Sequence, residues 1–112
     1  MKPPLTIPTC VKEFCRLNRE RLLPSASDAK LDNLVVGQTM LVRDLISEKQ
    51  GRLQRSIARL SSIHKHSKAL DHSSFKSLVT YLGEAGLVDA LTSDYMITRA
   101  SDLRESDLPL SM

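Results

Sequence analysis

The sequence predicts a mainly α-helical fold: one small helical domain with a long central helix, assembled as an oligomer. Three observations predict it. Aromatic residues are scarce, with two Tyr, two Phe and no Trp, so aliphatic side chains must fill the core, which they do as stripes on packed helices. Apolar residues recur at three- and four-residue steps from Leu31 to Ile63, the period of a helix rather than a strand. The chain has 112 residues, 41% apolar and 26% charged, enough for one domain with one modest core.

Residues 1–26 read as an N-terminal extension and a first helix. Pro3, Pro4 and Pro8 favour extended backbone in "MKPPLTIP". Thr9 is then a candidate N-cap. In "CVKEFCRLNRERLL", Val11, Phe14, Cys15, Leu17 and Leu22 give an apolar side, and Pro24 stops the helix. Ser25 or Ser27 can cap the next one.

Residues 27–70 read as a long basic helical region. Leu31, Leu34, Val35, Leu41, Val42, Leu45 and Ile46 form one row, with Gln38 among them. Gly51 interrupts this row, and Leu53, Ile57, Leu60 and Ile63 resume it. The region is either one bent helix or two helices meeting near Gly51. The short apolar faces around Phe14 and Phe75 are not long enough to cover such a row. An oligomer interface is therefore expected along Leu31, Leu34, Val35, Leu41, Val42, Leu45, Ile46 and Leu53.

Residues 71–98 hold a further helix and its continuation. Asp71, Ser73 or Ser74 can cap it, Phe75, Leu78, Val79 and Leu82 form its apolar face, and Gly86 stops it. Leu87–Thr98 reads either as a short β-hairpin or as a further helical turn. Residues 99–112 read as a loosely held acidic tail, with Asp102, Glu105 and Asp107 against Arg99 and Arg104.

The net charge is only +3, but it is distributed unevenly. Between Glu48 and Asp71 stand six cations, Lys49, Arg52, Arg55, Arg59, Lys65 and Lys68, and no carboxylate. Arg52, Arg55 and Arg59 fall on one face of a helix, apart from the Leu53–Ile57–Leu60 row. Such a stripe can neutralise a line of phosphates. No aromatics are interleaved with it, so duplex backbone contact fits better than stacking on single strands or RNA. Lys49, Arg52, Arg55 and Arg59 are the leading DNA-contact candidates, followed by Lys65, Lys68 and Lys76. The competing reading is a solvated face paired with the acidic C-terminal third.

Enzyme chemistry is not expected. The chain has no glycine-rich phosphate loop and no nucleophile elbow. His64, His66 and His72 lack the CxxC or HExxH companions of a zinc site, so no metal or cofactor is expected. Cys10 and Cys15 sit five apart, pointing in different directions on one helix, which reads as two reduced thiols in a cytoplasmic protein. No apolar run reaches the roughly 20 residues of a membrane span, and "MKPPLTIP" has no signal core.

The span from Asn33 to about Leu91 resembles the FlhD family, helical subunits of the bacterial FlhD–FlhC transcription activator. "NLVVGQTMLVRDLISEKQGRLQRSIARL" is similar to its long helix, with an "NL" start, an apolar row and a "QRLI…DK…FRL"-like stretch. "LDHSSFKSLVTYLGEAGLV" is similar to its later helix, which ends in "LV". Where that family carries a cysteine after "LV", this chain has Asp89, so no intersubunit disulfide is implied. The resemblance implies a homodimer assembled with an FlhC-like subunit that holds zinc through its own cysteines. It also implies binding to promoter DNA and recruitment of RNA polymerase. Two alternatives stand beside it. One is a non-enzymatic helical assembly subunit or chaperone that holds a partner helix along the Leu31–Ile63 row. The other is a winged-helix DNA-binding protein, whose "GLV"-like turn would precede two short strands.

Overall fold

The computed structural model describes residues 5–52 and 70–106. Five helices lie among them: α1 (Ile7–Leu17), α2 (Arg19–Leu22), α3 (Asp28–Lys49), α4 (His72–Glu84) and α5 (Ala90–Ser106). No strand occurs among the described residues. α1 packs against α3 and α4, and α5 packs against the same two helices from the other side. The four longer helices thus close a ring around one core. Phe75, Leu45, Leu70, Leu78, Leu82 and Met96 are the largest apolar side chains at its centre.

Capping chemistry sets most of the boundaries. α1 begins earlier than expected, because Thr6 rather than Thr9 is the cap and its hydroxyl accepts from the Thr9 N–H at 3.3 Å. Pro8 then falls inside the first turn, where its missing N–H is not needed. The first helix is also interrupted. The Asn18 amide donates to the Phe14 carbonyl at 2.8 Å, at the single residue that separates α1 from the short α2. This break leaves Leu17 71% exposed, outside the apolar side to which its spacing assigned it. Arg19 then spans the following link, with one guanidinium nitrogen on the Ala26 carbonyl at 2.8 Å and another on Asp28 at 2.7 Å.

Ser27 caps α3 by accepting from the Lys30 N–H at 3.3 Å, and Asp71 caps α4 by accepting from the Ser74 N–H at 2.7 Å. Both helices end in the same way. After α3 the Arg52 N–H reaches the Ser47 carbonyl at 2.9 Å and the Gly51 N–H reaches Glu48 at 3.1 Å. After α4 the Leu87 N–H reaches Leu82 at 3.0 Å and the Gly86 N–H reaches Gly83 at 3.0 Å. These are paired Schellman bonds, and they require left-handed backbone, found at Gly51 (φ 74°) and Gly86 (φ 78°). α3 therefore stops at Lys49 and does not bend through Gly51. Leu53, Ile57, Leu60 and Ile63 lie outside the described residues.

Three sequence expectations are corrected. Of the two readings of Leu87–Thr98, the helical one holds and the hairpin does not. The Asp89 carboxylate accepts from the Thr92 N–H at 2.7 Å and starts α5, which runs on through the positions a winged-helix reading would give to strands. Met96, Ala100 and Leu103 bury one stripe of that helix. Residues 99–106 are accordingly helical rather than a loose acidic tail.

The third correction concerns the expected interface row. Leu31, Leu34, Leu41, Val42 and Leu45 are buried within the single chain, and Val35 and Ile46 pack half-buried against the same core. α1 and α5 together cover this face of α3. The faces around Phe14 and Phe75 are too short to do so alone, and α5 supplies the cover that was not foreseen. The row is core and does not stand open for a second chain. Leu53 lies outside the described residues.

Candidate nucleic-acid interface

The cations predicted to touch DNA divide into two groups. Lys49, Arg52 and Lys76 are described and exposed. Arg55, Arg59, Lys65 and Lys68 lie outside the described residues. Lys49 is the last residue of α3, Arg52 follows the Gly51 turn, and Lys76 sits on α4.

A buried polar knot lies at the end of α3. Glu48, one residue before Lys49, has a side chain only 2% exposed. Its Oε1 accepts from the Arg99 guanidinium Nε at 2.8 Å and from the Tyr95 hydroxyl. Its Oε2 has no hydrogen-bond partner. A carboxylate near a helix C-terminus opposes the helix dipole and is expensive to bury. The Arg99 cation offsets that penalty and ties the end of α3 to α5.

The electrostatics are lopsided. The stretch from Lys49 to Lys68 carries six cations and no carboxylate, whereas the rest of the chain carries ten cations against thirteen carboxylates. The remainder is therefore mildly acidic, and the positive charge of the protein is concentrated in one stretch. Lys49 is the least free of the described candidates, because it lies in the field of Asp89. That carboxyl is held below the usual range by hydrogen bonds from Thr92, with a further contribution from Lys49.

Other side chains offer little chemistry. Cys10 and Cys15 are unpaired and buried in the core. Burial pushes the Cys15 thiol up to about 11, and burial followed by the Glu13 charge pushes Cys10 up as well. Both therefore stay protonated at neutral pH and are poor nucleophiles. Desolvation, then a hydrogen bond to Glu13, raises the Tyr81 phenol. Among the described residues no His, Cys, Asp and Glu cluster could hold a metal ion. No described helix is long and apolar enough to cross a membrane.

The aromatic side chains are engaged within the fold. Phe14 and Phe75 are buried, the Tyr81 ring sits 5.9 Å from Phe14, and the Tyr95 hydroxyl serves Glu48. The Glu48–Tyr95–Arg99 knot was not anticipated from sequence, since its members are 47 and 51 positions apart. The one available signal was Glu48 following directly after the apolar row. No protein-family model matches the chain, and no curated protein or solved structure matches it either.

Proposed function

We propose that this chain is a duplex-DNA-binding subunit of a transcription regulator, with an FlhD-like activator working as a dimer beside an FlhC-like partner as its most specific form. The supporting observation is the charge segregation along the chain: six cations and no carboxylate run from Lys49, exposed at the end of α3, to Lys68, while the rest of the chain is mildly acidic. Lys49, Arg52, Arg55 and Arg59 contact phosphates and position the complex, with Lys65, Lys68 and Lys76 in a secondary role. Phosphate neutralisation releases counterions, so affinity falls steeply with salt. The engaged aromatics favour backbone contact over base stacking.

Duplex DNA is titrated at several salt concentrations with wild type and Arg52→Glu/Arg55→Glu. The variant is expected to bind more weakly, and its salt slope is expected to fall by about one unit for each phosphate that is no longer neutralised. Unchanged affinity and slope would remove this surface from the assignment. The rival reading, a helical assembly subunit, is favoured by Leu17, 71% exposed on the rim of an open groove between α1 and α4. Absence of any DNA affinity would leave that reading in place.

A further inference from the structure

We draw no further inference here: the strongest candidate, the open groove between α1 and α4 with Phe14 and Tyr81 along it and the exposed Leu17 on its rim, is an unpartnered face, and nothing among the described residues shows what covers it.

Discussion

α3 carries aliphatic side chains on two faces, and the described residues cover only one of them. Leu31, Leu34, Leu41, Val42 and Leu45 are at most 6% exposed, while Val36 and Met40 are 57% and 47% exposed. The two rows share one helix, one set of caps and the same residue types. They differ in what packs against them. α1 and α5 close over the first, and the second faces outward. Hydrophobic periodicity thus identifies a face that needs covering, but the supplier of the cover is decided by topology.

The largest expected effect separates these two faces directly. Leu41→Ala removes a side chain only 2% exposed and leaves a cavity between α3 and its neighbours. It should destabilise the protein by about 2–5 kcal/mol. Met40→Ala, at the adjacent position on the outer face, should stay within about 0.5 kcal/mol. Urea unfolding followed by circular dichroism compares the two. Equal losses would mean that both faces are core.

The inner face can also be challenged at its polar end. There the buried Glu48 joins α3 to α5 through Arg99, whose side chain is 18% exposed. Arg99→Ala would leave Glu48 buried beside only the Tyr95 hydroxyl. It should cost about 3 kcal/mol, near the lower end for breaking a buried pair because Arg99 is partly solvated. Replacing both partners, as in Glu48→Met/Arg99→Met, should recover most of that loss, since no charge is then stranded. A double-mutant cycle in urea measures the coupling. Additive effects would show that the knot does not tie the two helices together.

Much of this was legible in the sequence, for local reasons. Ser27 and Asp71 are caps because a short polar side chain precedes an apolar helical period. Gly51 and Gly86 are stops because the backbone there turns left-handed. What was not legible depends on non-local packing. The β-branched residues of Leu87–Thr98 suggest strands when read alone. Asp89 as a cap and a buried Met96–Ala100–Leu103 stripe make the segment a helix. Once that helix exists it covers α3, and the long row needs no partner. The sequence left hairpin and helical turn open for this segment, and the interface assignment did not count a full helix there as cover. The basic stretch is the opposite case. Its charge is plain from sequence, and of its leading cations only Lys49 and Arg52 have a described position.

The smallest expected effect concerns Asp89, which starts the helix that covers the inner face of α3. Its carboxylate accepts from the Thr92 N–H at 2.7 Å. Hydrogen bonds from the Thr92 backbone and side chain hold the carboxyl below the usual range, Lys49 adds to this, and burial opposes it. A carboxyl lowered on folding stabilises the folded state above its unfolded value, and that contribution disappears as pH falls through the folded value. Asp89→Ala should therefore lower the thermal midpoint at neutral pH, and the gap to wild type should narrow below about pH 4. Asp89→Asn keeps a capping oxygen without the charge. It should fall between the two at neutral pH and show the weaker pH dependence. Thermal melts of the three proteins from neutral to acidic pH make the comparison. A gap between wild type and Asp89→Ala that stays constant across the range would show that the ionised carboxylate is not what holds the start of α5.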